Sequence, residues 1–125
     1  PAFVTPQEDA DEVQVPIVVL AKKNSVSMAE ITTMAIQTLP NGTFVGETTW
    51  GGQGPITENL VFLGGQFSTR FMKVYTSSLM LRYIDGNIYE GIGFSPTIEV
   101  KHDQAAINNG VDTQLEKAIE FIKSK

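Results

Sequence analysis

The chain has 125 residues, a formal net charge of −5 and an apolar fraction of 42%. That length fits one domain or part of one, and the apolar fraction is enough for a single hydrophobic core. The acidic balance argues against a nucleic-acid partner, which requires a basic face. Because the chain has no cysteine, disulfides, a thiolate nucleophile and a thiolate metal site are excluded.

The N-terminal region is polar and carries no targeting signal. It has no initiator methionine and no signal peptide, and no apolar run in the chain approaches the roughly 18 residues that a membrane span needs. We therefore expect an excised fragment or a processed product. Two prolines and an acidic run identify residues 1–14 as a linker or surface loop, and residues 15–125 as the folded portion.

The first folded segment has a strand–helix–strand pattern. Residues Val15–Leu20 form a short, β-branched apolar run, which is typical of a strand buried on both faces of an α/β sheet. A polar turn follows, and a helix is predicted to start near Ser27. Its apolar face is predicted to contain Met28, Ile31, Ala35 and Leu39. A Pro-Asn-Gly sequence ends the helix, and Thr43–Gly46 is the next strand.

The second half of the chain shows mostly strand patterns and ends in a helix. A glycine-rich loop at Gly51–Pro55 precedes short strands predicted at Leu60–Leu63, Phe67–Tyr75, Leu79–Ile84, Ile88–Glu90 and Thr97–Val100. A terminal helix is predicted over Asp112–Lys123, with Thr113 and Glu116 at capping-box spacing. Its buried stripe is predicted to contain Leu115, Ala118, Ile119 and Ile122. The predicted fold is α/β, with a mixed sheet and two main helices.

Ser27 stands where a buried strand turns into a helix. Such a turn exposes a hydroxyl, and the first amides of the helix can stabilise a developing oxyanion. The same spacing also forms a capping box, because Glu30 follows Ser27 by three residues. Spacing alone does not choose between a cap and a nucleophile, and it does not choose between Ser25 and Ser27.

Four segments in order resemble the tail-specific (C-terminal processing) serine peptidase family. The serine-rich run ending in Ala29-Glu30-Ile31 resembles the nucleophile motif, and Gly46-Glu47-Thr48-Thr49-Trp50-Gly51-Gly52 resembles the Gly-Glu-x-Thr-x-Gly segment. Glu90-Gly91-Ile92-Gly93-Phe94-Ser95-Pro96 resembles the Glu-Gly-x-Gly-Val-x-Pro segment, and residues 112–118 resemble the start of the terminal helix. The resemblance covers residues 15 to about 122.

The resemblance implies a Clp-protease/crotonase-like core of which this chain is the C-terminal part. It also implies that Ser27 is the nucleophile and that the Met28 amide is an oxyanion donor. Many family members use a Ser-Lys dyad, but Gly52 occupies the lysine position here. The chain is therefore closer to the Ser-His-Ser-Glu, tricorn-like branch. In that branch Glu90 would support a histidine base supplied by an upstream segment.

Several alternatives remain open from the sequence. Glu90 also fits an exposed hairpin residue, and His102 fits a surface residue that does not match the family's catalytic histidine. No cofactor or metal is expected. Peptide or protein substrates, the upstream half of the domain and self-association of the fragment are the expected partners, and an exported location is implied by the family. A non-catalytic peptide-binding domain and a structural assembly domain are the alternatives to a peptidase.

Overall fold

The computed structural model describes residues 14–54, 66–75 and 80–125. In chain order, the elements of this described part are β1 (Ile17–Ala21), α1 (Met28–Gln37), β2 (Gly42–Gly46), β3 (Gln66–Ser68), β4 (Lys73–Tyr75), β5 (Ile98–Glu99), α2 (Gln104–Asn108) and α3 (Thr113–Lys123). The α/β class predicted from the sequence is confirmed.

A parallel sheet of order β1–β2–β5 organises the described residues. β1 pairs with β2 from Ile17 opposite Gly42 to Ala21 opposite Gly46, and β2 pairs with β5 at Val45 opposite Ile98. β3 and β4 form a separate antiparallel pair. Parallel strands end at the same edge of a sheet, so the segments after β1 and β2 meet there. That edge carries both Ser27 and the glycine-rich loop.

An aromatic core lies beside this edge. The Phe44 ring of β2 stacks on Phe94 with the ring centroids 6.2 Å apart. Tyr83 and Tyr89 meet the Phe94 ring edge-on, at centroid distances of 4.8 and 5.1 Å. Met34 of α1 completes the buried cluster. Edge-to-face aromatic contacts of this kind add to simple area burial, so they fix the segment around Phe94 against the sheet.

The first half of the chain forms the predicted elements, but it buries different faces. Leu20 of β1 is 40% exposed, so the prediction of a strand buried on both faces is wrong for the described residues. The predicted apolar face of α1 is also wrong, since Met28 is 65% exposed. The buried helix residues are instead Glu30, Thr33 and Met34. These residues are spaced three and four apart, so they share the face of the helix that lies against the sheet. The glutamate can be buried there as a carboxylate because hydrogen-bond donors surround it.

The strand predictions between residues 67 and 90 are largely wrong. Phe67–Tyr75 is a hairpin and not one strand, since Thr69 N donates to Met72 O at 2.7 Å. Residues 80–90 contain no strand, because their aromatic residues pack on Phe94 without joining a ladder. The strand predicted at Leu60–Leu63 lies outside the described residues. Thr97–Val100 contains the two-residue strand β5.

The C-terminal helix forms as predicted, with a different cap and a narrower buried face. Asp112 is the N-cap, and its carboxylate accepts from Gln114 N and Leu115 N, in place of the predicted Thr113–Glu116 box. Within the predicted stripe only Ala118 is buried, at 4% exposure. The short helix α2, capped by Asp103, was not predicted. Across the described ranges, every helix is too short or too polar to span a membrane.

Candidate active site

Ser27 occupies a rare backbone conformation at the N-terminus of α1. Its φ of 60° and ψ of −124° make it the only non-glycine residue with a positive φ in the described part of the chain. A non-glycine residue in such a region costs about 1–3 kcal/mol, and it persists only where the surroundings enforce it. Ser27 is exposed. The turn therefore presents this residue at the sheet edge, as the strand–turn–helix pattern predicted.

Glu30 is the buried acid beneath Ser27. Its side chain is fully buried, and its Oε2 accepts from Ser27 N at 3.2 Å and from Gly52 N at 2.9 Å. Its Oε1 accepts from Gly51 N at 2.7 Å and from the Thr49 hydroxyl. The half of the predicted capping box in which Glu30 accepts from Ser27 N is present, but the carboxylate does more than cap. It joins the serine turn to the glycine-rich loop.

The charge state of Glu30 follows from these donors. Burial alone would raise the pKa of its carboxyl group, because a charge is costly to desolvate. The hydrogen bonds from Thr49, Gly51, Gly52 and Ser27 outweigh burial, and together they lower the pKa below its ordinary value. Sequence reasoning identified only the capping half of this role. The Thr49 and glycine donors lie about twenty residues later in the chain, and spacing does not reveal that they meet Glu30.

Thr49 and the glycines lock the loop to the segment around Phe94. The Thr49 hydroxyl accepts from Phe94 N at 2.8 Å, and Thr49 N donates to Phe94 O at 3.1 Å. Gly51 has a φ of +88°, and a Cβ there would lie 2.7 Å from Gly93 N. Gly91 N donates to Gly51 O at 2.7 Å. Only glycine fits this close approach of two backbones.

Glu90 binds the far side of the same loop. Its Oε2 accepts from Gln53 N at 2.6 Å and from Gly54 N at 2.8 Å. On the other side, Gly52 O accepts from Ser27 N at 2.9 Å. A single peptide group, Gly52–Gln53, therefore lies between the two predicted catalytic residues. Glu90 approaches Ser27 through this peptide and not by a direct hydrogen bond.

The other residues singled out in the sequence are Ser25, Met28 and His102. The Ser25 hydroxyl accepts from Lys22 N at 3.1 Å and so serves the turn after β1. The Met28 amide is the first of α1 and has no acceptor within the helix. His102 is half-buried and faces Gln104 at 3.4 Å. It lines a cavity of about 240 Å³ together with Ser25.

A general base and a metal centre are not assembled by the described residues. In those three stretches no histidine or lysine side chain hydrogen-bonds Ser27. The same residues hold no group of three histidine, cysteine, aspartate or glutamate side chains that could bind a metal ion. The arrangement offers a strained, exposed serine at a helix N-terminus and a glycine-rich loop hydrogen-bonded to it. Acyl-transfer chemistry can use groups of this kind.

The sequence profile of Peptidase family S41 matches residues 2–100 of this chain. The chain belongs to this family of peptidases. A comparison with curated proteins gave no match. The family assignment confirms the resemblance identified in the sequence.

Solved structures show the same fold. A candidate peptidase of Parabacteroides merdae superposes with a TM-score of 0.73 at 24% identity, over 98% of this chain and 36% of that one. The tricorn protease superposes with a TM-score of 0.70 at 20% identity, over 87% of this chain and 10% of that one. Mature CPAF, solved in complex with lactacystin, superposes with a TM-score of 0.59 at 20% identity, over 87% of this chain and 19% of that one. The chain thus spans about a third or less of these relatives.

Proposed function

We propose that the chain is the C-terminal part of a serine peptidase catalytic domain that hydrolyses peptide bonds of protein substrates. The observation that carries this proposal is the strained backbone of Ser27 at a strand-to-helix turn, in a chain that belongs to a peptidase family. Strain of this kind is characteristic of nucleophile turns, where it exposes the hydroxyl above the sheet.

In the proposed mechanism the Ser27 oxygen attacks the scissile carbonyl. Its proton passes to a general base, and the carbonyl oxygen becomes an oxyanion that the Met28 amide stabilises. Collapse of the tetrahedral intermediate expels the amine, which takes the proton from the base, and leaves an acyl-enzyme at Ser27. Water then hydrolyses the ester with the same base. Glu90 holds the loop through Oε2 and supports the base.

The general base comes from protein outside this chain, as an upstream histidine. Gly52 stands at the position where many family members have a lysine, and the fold is similar to that of the tricorn protease. The upstream half of the domain would be the partner that completes the site. On the motif resemblance alone, we extend the proposal to cleavage near the C-termini of protein substrates and to an exported location of the protein itself.

A non-catalytic, peptide-binding domain is the second candidate. It is favoured by one observation, that no basic side chain contacts Ser27 within the described residues. In that case the strained turn and the loop would form a cleft that holds a peptide without cleaving it. A structural domain of a larger exported protein is the third possibility.

Labelling of the full-length protein by a fluorophosphonate probe tests the proposal. We expect the wild type to be labelled, Ser27→Ala to lose labelling, and Ser25→Ala to keep it. Labelling that survives in Ser27→Ala would identify another nucleophile. A folded wild type without labelling, together with binding of an unstructured protein, would favour the binding domain.

A further inference from the structure

Gln53 is a buried side chain without a hydrogen-bond partner for either polar atom. It is 1% exposed, and both its Oε1 and its Nε2 are buried and unbonded. Buried polar groups almost always have a partner, because burial removes their hydrogen bonds to water. Two orphaned atoms on one side chain therefore call for a specific reason.

Among the residues whose burial is described, two other glutamines are partly or fully buried, and both differ from Gln53. Gln37 leaves its Oε1 unbonded, but its Nε2 donates to Thr97 at 2.7 Å. The Nε2 of Gln114 donates to Val100 O at 2.7 Å. Each of these side chains therefore has a partner within the protein. Among the buried side chains of the described residues, only that of Gln53 has both a donor and an acceptor free.

Gln53 is also fixed at the centre of the proposed site. Its own amide donates to Glu90 at 2.6 Å, and the carbonyl of the same peptide accepts from Ser27 N at 2.9 Å. The residue cannot move far from the nucleophile while these bonds hold.

We propose that the Gln53 carboxamide binds a main-chain peptide group of the substrate next to the scissile bond. A carboxamide offers one N–H side and one C=O side, and a peptide group offers the complementary pair. The carboxamide is thus kept unpaired until an extended peptide reaches Ser27, and it then positions the scissile carbonyl. This inference rests on the proposed function, because it specifies how the same site holds its peptide.

A binding experiment tests Gln53 without relying on catalysis. Full-length protein carrying Ser27→Ala is titrated into fluorescently labelled, unstructured casein, and anisotropy gives the dissociation constant. Adding Gln53→Met, which keeps the size of the side chain, is expected to weaken binding by about tenfold or more, since two hydrogen bonds are lost. Gln37→Met is the matched control and should leave binding unchanged. Equal binding by both variants would overturn the proposal.

Two further readouts separate a substrate contact from a structural one. The fluorophosphonate probe carries no peptide group, so Gln53→Met should label at nearly the wild-type rate while casein hydrolysis falls by about tenfold or more. The melting temperature should not fall, because the substitution removes orphaned polar atoms. A melting temperature lowered by several degrees with labelling lost would assign the partner to the protein itself and overturn the proposal. A wild type that binds casein but is never labelled would refute the peptidase function and leave the binding result for Gln53 valid.

Discussion

Glu30 is buried as a charged carboxylate because four donors surround it. A buried acid without partners would become neutral, whereas here the hydrogen bonds lower its pKa despite burial. The carboxylate holds the Ser27 amide and the Gly51 and Gly52 amides in one cluster. The strained serine turn is therefore stabilised from below by a residue that takes no part in the proposed bond-making steps.

We predict that Glu30→Gln lowers the free energy of unfolding by about 2–3 kcal/mol at pH 7, since a carboxamide cannot accept from all four donors. Because the folded-state pKa is lowered, the contribution of Glu30 is complete above its ordinary pKa of 4.5 and is lost as the pH falls through the folded-state value. Urea unfolding between neutral and acidic pH measures this. The difference in the free energy of unfolding between wild type and variant should become smaller in acid. A difference that does not depend on pH would contradict the explanation. Glu99→Gln, at an exposed position, serves as the control for the loss of a charge.

Glu90 is expected to matter through the loop that it binds. Glu90→Ala removes the acceptor for the Gln53 and Gly54 amides, and the resulting displacement should lower kcat/KM of the full-length protein by about 10²-fold. The protein should stay folded, as measured by circular dichroism. Glu90→Gln keeps one acceptor oxygen and should lose less. Full activity in Glu90→Ala would remove this residue from the mechanism.

At the scale of elements, the glycine-rich loop is joined to residues 91–93 because their backbones are in direct contact. Gly51 and Gly86 both have positive φ values, of +88° and +85°. A Cβ on Gly51 would lie 2.7 Å from Gly93 N, whereas a Cβ on Gly86 would have no neighbour within 4 Å. A side chain at position 51 is therefore disfavoured both by packing and by the backbone conformation. A side chain at position 86 is disfavoured by the backbone conformation alone.

This contrast gives a paired prediction. Gly86→Ala should cost about 1 kcal/mol of stability, from the left-handed backbone alone. Gly51→Ala should cost clearly more and should also reduce fluorophosphonate labelling, because the loop is forced away from residues 91–93. Thermal unfolding and labelling rates of both variants measure the difference. Equal losses of stability would show that the two loops are not in close contact.

The sequence predicted those elements that depend on local patterns. β1, α1, β2 and α3 follow from apolar runs, turn residues and caps within each segment. The predicted strands at residues 80–90 failed because alternating apolar residues such as Tyr83 and Tyr89 serve an aromatic cluster there and not a sheet ladder. The turn at Ser27 was predictable. The roles of Glu30 and Gln53 were not, since they depend on contacts between segments about twenty or more residues apart.

At the scale of the molecule, many large apolar side chains of the described residues are exposed. Leu20 and Met28 are exposed beside the site, and so are Leu115, Ile119 and Ile122 of α3. β1 pairs only with β2 in the described sheet and leaves its other edge open. An open strand edge flanked by apolar groups favours association.

We therefore predict that the isolated 125-residue chain self-associates and is not labelled by a fluorophosphonate probe, because the proposed base is missing. Sedimentation velocity at several concentrations should show a rising average mass. Replacing Leu115 and Ile119 by glutamate should reduce association if α3 contributes to it. A stable monomer at all concentrations, or efficient labelling of the isolated chain, would contradict the prediction.

Ser27 is held in place by its main chain. The bonds to Gly52 O and to Glu30 Oε2 both start from its backbone amide, so an alanine in its place would keep them. On the proposed function, a single Ser27→Ala exchange would therefore remove the reacting hydroxyl and leave the hydrogen bonds that shape the turn and the glycine-rich loop in place.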